Sequence, residues 1–556
     1  MTGDAFVTAS AGLQPPTLTI GGVTRLAASR FGLAEALVAG DERLNFVELS
    51  QRVDGAAKAF LALGLRPGDR IALWAPNSAE WIIAALGAQS IGGVLVPLNT
   101  RFKGDEAASV INASGARFLF CDNSFLGVDY IGNLLSASVA TPHLEAIIRF
   151  AGDAPQASAI SSLSWSAFLA GGDDVAEIDL RNRQEQVQPE DLCDIIFTSG
   201  TTGQPKGVMS RHDQTVRVFW EWSRIVELDD RDRYLIVNPF FHTFGYKAGF
   251  LACLMRGATI IPEPIFDIDQ VLRRIGQERI TALPGPPTLY LSILDHPNRT
   301  DHDLSSLRLA VTGAAAVPVE MIRRMRQELS FTTILTAYGL TESTGTVTMC
   351  RSDDDPQTIS ETSGRAITDV EVRIVDDDNE QVPVGTPGEI VCRGYNVMPG
   401  YFQNSDATAE AIDSDGWLHT GDIGTLDDRG YLRITDRKKD MFIVGGFNAY
   451  PAEIENILMN HPAVSRVAVV GIPDERMGEV GHAFVILRPD AVGDRESFPQ
   501  SLIAWSRERL ANYKIPRQVT VVEELPVNAS GKVLKFQLRA DHQRHLNNRP
   551  DAANET

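Results

Sequence analysis

The run TSGTTGQPKG, Thr198 to Gly207, directly follows the apolar segment at 192–197 and has the composition of an anion site. Gly200, Gly203 and Gly207 let the backbone turn its N–H groups toward an anion. Thr198, Ser199, Thr201 and Thr202 add hydroxyl donors, and Lys206 adds positive charge. A flexible Ser/Thr/Gly surface loop shares this composition, but three glycines and a lysine immediately after a buried strand favour a phosphate cradle. It is not a Walker A loop, because Gly207 rather than Ser or Thr follows the lysine. A second cluster, TAYGLTE at Thr336 to Glu342, also follows an apolar strand. Tyr338 offers a flat face to a heterocycle, Gly339 permits close backbone approach, and Thr341 with Glu342 supplies oxygen ligands suited to Mg2+ beside phosphates. Upstream, Gly313, Ala314 and Ala315 close another strand with minimal side chains and leave room for something planar.

Three further positions carry chemistry only in company. Asp422 in WLHTGD could accept two hydrogen bonds from a ribose diol, and Arg437 in ITDRKKD could bond the same sugar. Singly, the first reads as a turn residue and the second as part of a solvated charge run. Lys532 follows Ser530 and Gly531 on a predicted tight, exposed turn, where most lysines serve solubility alone.

The elements that must hold these residues follow from the pattern around them. From about residue 44 to 395, helical stretches alternate with short β-branched runs, which predicts a layered α/β body with largely buried parallel strands. Predicted strands include RIALWAP, DIIFTSG, RYLIVNP, GATIIPE, ITALPGPP, LRLAVTGA and TILTAYG, many running straight into Gly, Pro, Ser or Thr. Ligands of open α/β sheets collect at such carboxyl ends. The most apolar stretch, Trp81 to Leu98, reads as a buried helix and a strand rather than a membrane span. Between about 370 and 435, short alternating strands with acidic turns predict an antiparallel subdomain. Past the charged knot DRKKD at 436–440 the chain reads as a β-α-β-β-α-β unit, and its polar end from 541 is expected to fray. The expected division is 1–438 for the large domain and 439–556 for a small α+β domain.

Charge and cysteine content narrow the setting. With 51 Lys+Arg against 72 Asp+Glu, the formal charge of −21 repels nucleic acid and anionic membranes, so any anionic ligand needs a local site. Five scattered cysteines without a C-x-x-C pair argue against a disulfide framework or a zinc ribbon. The first residues show no basic leader or apolar signal core, so a cytoplasmic location is expected.

Taken in order, TSGTTGQPKG, FFHTFGY, YGLTE, WLHTGD, ITDRKKD, GGFNAYPAEIE and NASGK resemble the acyl-adenylate-forming superfamily of acyl-CoA synthetases, adenylation domains and luciferases over nearly the whole chain. Within it the sequence looks most like acyl-CoA ligases. NPFFHTFGYKAG, LPGPPTLYLSILDHP and LRLAVTGAAAVP are similar to actinobacterial ligases that activate propanoate side chains on steroid-ring remnants. The resemblance implies a carboxylic acid, ATP, Mg2+ and coenzyme A as reactants, and a mobile C-terminal lid. It implies that the cradle holds the β and γ phosphates, that Glu342 binds Mg2+, and that Thr341 meets the α-phosphate. Tyr338 and the edge from Gly313 to Ala315 would frame adenine, while Asp422 and Arg437 would take the ribose. Lys532 would bridge the substrate carboxylate and the α-phosphate. Lys439 would be the hinge, and Gly445 and Gly446 would line the pantetheine path. His242 would stand at the mouth of the acyl pocket, which Phe244, Gly245, Tyr246 and Lys247 would shape. Gly245, Gly249 and the small residues from Gly313 to Ala316 would leave space for a wide substrate. Phe241 and His242 stand where an amino-acid-activating relative would carry an Asp to pair the amine. Alternatives are an acyl-AMP ligase loading a carrier protein, a luciferase-like oxygenase and a nucleotide-binding regulator whose catalysis has decayed. A monomer and a homodimer both fit the sequence.

Overall fold

A computed structural model describes residues 14–154, 160–198, 205–313, 317–437, 440–444, 447–474, 476–489, 495, 497–507, 509–510, 512–527 and 533–547, with backbone only at 436, 437, 447, 448, 541 and 543–547. Two compact units emerge. The first comprises the described residues up to 313 with 317–372 and 392–418, and the second comprises 373–391 and the described residues from 419 onward. The expected boundary at 436–440 falls inside the second unit.

The larger unit contains a seven-stranded sheet in the order Ser161–Ser164, Ala146–Ala151, Phe118–Asp122, Arg70–Trp74, Val94–Pro97, Leu192–Thr198 and Lys206–Arg211. Its neighbours are parallel until the last pair, an antiparallel hairpin. Ile71, Leu73, Leu95, Leu119 and Phe120 are completely buried. Strands covered on both faces read as unbroken apolar runs, which explains why the sequence pattern finds them. The helix Ala79–Gln89 is capped by Ser78, whose hydroxyl accepts from the Trp81 N–H, and all but one of its residues are buried, Glu80 alone being partly open. A helix apolar on nearly every side belongs in a core. With the strand Val94–Pro97 it accounts for the long apolar stretch. No helix among the described residues is long and apolar enough to cross a membrane.

A second set of strands runs Glu42–Asn45, Glu35–Ala39, Thr259–Pro262 and Arg233–Ile236, and another runs Leu309–Gly313, Thr333–Tyr338, Thr348–Met349 and Arg365–Ala366. Ala282 links them through parallel bridges to Tyr234 and Leu309. The predicted strand ITALPGPP thus shrinks to a bridge, because Pro284 and Pro286 lack the N–H that a ladder needs.

The second unit carries most of an antiparallel sheet, Val370–Val375, Gly388–Gly394, Leu418–Leu426 and Leu432–Arg437. It also holds a five-stranded sheet built from Phe447–Ala449, Phe442–Val444, Gly478–Leu487, Val464–Asp474 and Gln518–Val521. The helices Pro451–Leu458 and Phe498–Arg507 accompany it. The helix Lys535–Asn547 corrects the expectation of a frayed end over 541–547, 548–556 lying outside the described residues: His542 is buried, with its Nδ1 3.2 Å from His482 Nδ1. All five cysteines are buried free thiols.

Candidate active site

In the larger unit the site begins at the hairpin tip. Thr198 and Lys206 face each other across the antiparallel pair, at the two ends of the glycine-threonine loop. Ser199, Gly200, Thr201, Thr202 and Gly203 lie outside the described residues. A segment from Tyr395 to Phe402 lies against this hairpin: Phe402 N–H donates to Gly207 O at 2.7 Å, Met209 N–H donates to Gly400 O at 3.2 Å, and Tyr401 forms a bridge with Val208.

The adenine-frame candidates meet on the neighbouring strands. Leu309–Gly313 runs parallel to Thr333–Tyr338, with Gly313 opposite Ala337, one residue before Tyr338. Ala314 and Ala315 are outside the described residues. Tyr338 ends its strand 8% exposed. At Gly339 a Cβ would lie 2.3 Å from Gly345 O, so the turn can close only with glycine there. The short helix Thr341–Ser343 follows, with Leu340 N–H donating to Ser343 Oγ at 2.9 Å.

Lys206 and Glu342, both half-buried, converge on one side chain that the sequence reading did not single out. Tyr401 donates its hydroxyl to Glu342 Oε1 at 2.9 Å, and Lys206 Nζ lies 5.0 Å from the centre of its ring, within cation–π range. Burial and the adjacent Glu342 carboxylate push the phenol well above its ordinary pKa, so it remains a donor. No local motif marks Tyr401, which is 59 residues from its carboxylate partner.

The FFHTFGY segment packs beside the turn after Thr341: a Cβ on Gly345 would lie 3.3 Å from Thr243 Cβ. His242 caps the short helix Thr243–Gly245, its Nδ1 accepting from Phe244 N–H at 3.2 Å. The residue is exposed, and desolvation by the protein around the ring lowers its pKa. Asn77, also missed in the sequence, holds the segment's backbone. It accepts from Phe240 N–H at 2.8 Å and donates to the carbonyls of Ile236 and Asn238 at 3.1 and 2.9 Å.

Several expected pocket walls turn elsewhere. Lys247 is fully buried, its Nζ 2.9 Å from Asp194 Oδ2 and 2.9 Å from Ser210 Oγ. Tyr246 is equally buried and meets Gln89 Nε2 at 2.6 Å. Gly245 leaves no room for a substrate either: a Cβ there would lie 2.3 Å from Asn238 O. At Gly249 it would meet Ile236 at 3.2 Å. These glycines admit neighbouring protein rather than a wide ligand. Tyr246–Leu251 is a π-type turn, a distortion frequent beside functional sites.

In the second unit, Asp422 and Arg437 are direct partners across the strands Leu418–Leu426 and Leu432–Arg437. Asp422 is 6% exposed, and its N–H donates to Thr420 Oγ1 at 3.1 Å. Gly421 N–H donates to Glu389 Oε1 at 3.1 Å, which fixes the approach to Asp422. The Arg437 side chain, Lys439, Gly445, Gly446 and Lys532 lie outside the described residues.

The larger unit thus brings the hairpin ends Thr198 and Lys206, the strand ends at Gly313 and Tyr338 and the Glu342 carboxylate onto its described residues. Residues 25–402 match the family model for AMP-binding enzyme, and residues 453–532 match the AMP-binding enzyme C-terminal domain. The chain is 49% identical over 528 residues to a 7a-methyl-1,5-dioxo-octahydro-1H-inden-4-yl propanoyl:CoA ligase of Rhodococcus jostii (strain RHA1), covering 95% of this chain and 99% of that protein. It is 50% identical over 504 residues to the ligase of the same name from Mycobacterium tuberculosis (strain ATCC 25618 / H37Rv), covering 91% and 95%. Among solved structures, the anthranilate CoA ligase AuaEII in complex with anthranoyl-AMP superposes with a TM-score of 0.83 at 27% identity, covering 97% of this chain and 100% of that one. The chain belongs to the AMP-binding enzyme family and is an AMP-forming acyl-CoA ligase.

Proposed function

We propose that the acid this ligase activates is a bicyclic, steroid-derived propanoic acid of the methyl-dioxo-octahydroindenyl class. The observation that carries this reading is 49% identity, spread over 95% of the chain, to a ligase named for such an acid. The five buried, free thiols suit a reducing cytoplasm.

In the first step a carboxylate oxygen attacks the α-phosphorus of ATP, and pyrophosphate leaves. Two anions must approach, so cationic groups that neutralise the developing charge are needed. Lys206 with the cradle from Thr198 to Gly203 holds the β and γ phosphates. Thr341 meets the α-phosphate, Gly313 to Ala315 with Tyr338 and Gly339 frames adenine, and Asp422 with Arg437 takes the ribose. Lys532 bridges the carboxylate and the α-phosphate. By comparison with loss of an oxyanion donor, its ammonium contributes roughly 2.7–4 kcal/mol to the barrier reduction. In the second step the CoA sulfur attacks the acyl carbon and AMP leaves. Lys439 is the hinge that moves residues 439–556 as a lid, and Gly445 with Gly446 borders the pantetheine path.

The donor set fits Mg2+. Glu342 is a half-buried carboxylate held by Tyr401, and Mg2+ is typically held by one or two carboxylates together with substrate phosphates and water. No group of three or more His, Cys, Asp or Glu gathers to hold a metal among the described residues. Bound there, the cation would neutralise phosphate charge.

The test is a panel of indanone propanoates, medium-chain fatty acids and aromatic acids with ATP, Mg2+ and CoA, scored by AMP release and acyl-CoA formation. The indanone propanoate is expected to give kcat/KM at least about tenfold above the others, a discrimination within reach of apolar pocket contacts. A fatty or aromatic acid in first place would overturn the substrate assignment.

A further inference from the structure

The segment from Tyr395 to Phe402 behaves as a strap tied to both chemical halves of the larger unit's site. On one side it is stitched to the hairpin through Phe402, Gly400 and the Tyr401 bridge to Val208. On the other it is tied to the turn that carries Glu342. Met398 N–H donates to Glu342 O at 2.8 Å, Thr344 Oγ1 donates to Asn396 O at 2.7 Å, and Asn396 Nδ2 donates to Thr346 O at 3.0 Å. From the helix His212–Ile225, Gln214 Nε2 donates to the carbonyls of Tyr395, at 3.1 Å, and Val397. These bonds hold the backbone. Among the described residues, Tyr401 also links the two reactive side chains, holding the Glu342 carboxylate through its hydroxyl and Lys206 through its ring. The phenol is 9% exposed, whereas Lys206 and Glu342 remain open enough to reach a ligand.

We propose that Tyr401 is a positioning residue for adenylation, setting the orientation of the Glu342 carboxylate toward Mg2+ and of the Lys206 ammonium toward the ATP phosphates. This rests on the proposed role of Glu342. Groups hydrogen-bonded behind a metal ligand typically change metal affinity or activity by 10–100-fold when lost. Tyr401→Phe removes one oxygen and keeps the ring, so it isolates the bond to Glu342. Tyr401→Leu removes the ring as well.

The experiment is calorimetric ATP binding to the full-length protein across a Mg2+ titration, beside thermal melts of each variant. In Tyr401→Phe the Mg2+ concentration giving half of the maximal ATP affinity should rise about tenfold. In a Glu342→Gln background the same substitution should add less than about twofold, since the metal-binding carboxylate that Tyr401 orients has already been replaced by a neutral amide. Tyr401→Leu should add a loss of ATP affinity that persists in EDTA, because the Lys206 contact goes with the ring. A wild-type Mg2+ midpoint in Tyr401→Phe together with a displaced one in Glu342→Gln overturns the positioning role alone. A wild-type midpoint in both overturns the metal assignment and the positioning role with it. Equal shifts from Tyr401→Phe in both backgrounds also overturn it, and this comparison holds even when the melts show some loss of stability, because each pair differs by the same oxygen.

Discussion

One hairpin carries two lysine–carboxylate arrangements with opposite surroundings. At Asp194 and Ser210, paired across Leu192–Thr198 and Lys206–Arg211, the buried Lys247 completes a sealed network. Four residues along the strand, about 13 Å at the usual rise, Lys206 ends the hairpin strand and shares Tyr401 with Glu342. The sealed pair has exchanged water for fixed partners and must stay complete, because a lone charge in that place has nothing to replace its solvation. The open pair keeps part of its surface available and can take a ligand. Proximity to a motif therefore does not decide a lysine's role; what surrounds its ammonium does.

The largest effect that can break this contrast is on folding. Lys247→Met leaves Asp194 buried and unpaired and should cost about 3–5 kcal/mol of stability, read from urea melts. Lys206→Met should change stability by no more than about 0.5 kcal/mol while lowering ATP–pyrophosphate exchange about 100-fold. Comparable destabilisation by the two substitutions would erase the distinction. The acid response is next in size. His212 in the larger unit and His482 in the second are buried and pushed down to about 4, both by desolvation, with His542 adding to the effect at His482. The unfolded chain then binds protons near pH 6.5 that the folded one refuses until about pH 4, so stability is full above that window and falls as the pH drops through it. Each histidine should remove about 2 kcal/mol between pH 7 and 5. Urea melts of wild type and His212→Gln at the two values would check this, with a shallower pH slope in the variant. The smallest effect sharpens the sealed region: Lys247→Met with Asp194→Leu should recover stability to within about 1 kcal/mol of wild type, since replacing both charges leaves neither stranded.

How much of this could be read from the sequence depended on how local each signal was. Strands such as Arg70–Trp74 and Leu309–Gly313 are legible because burial on both faces leaves continuous apolar runs that stop at Gly, Pro or Ala. TSGTTGQPKG and YGLTE stand out in the sequence because the residue types they combine lie within ten consecutive residues each. Lys247 was misplaced because its partner Asp194 is 53 residues away and FFHTFGYK gives no sign that its last residue turns inward. Tyr401 was missed for the same reason. The helix Lys535–Asn547 escaped notice because its polar composition gives no apolar stripe, although His542 is buried against His482. ITALPGPP misled in the other direction, its apolar start outweighing three prolines that cannot donate to a ladder.

The division of labour between the two half-reactions is tested most directly by Lys532→Ala, with each step measured alone. Pyrophosphate exchange should fall at least about 100-fold, the loss of a group that stabilises charge only in the first transition state. Thioester formation from supplied acyl-AMP and CoA should fall far less. Equal losses in the two steps would contradict the assignment of Lys532 to adenylation.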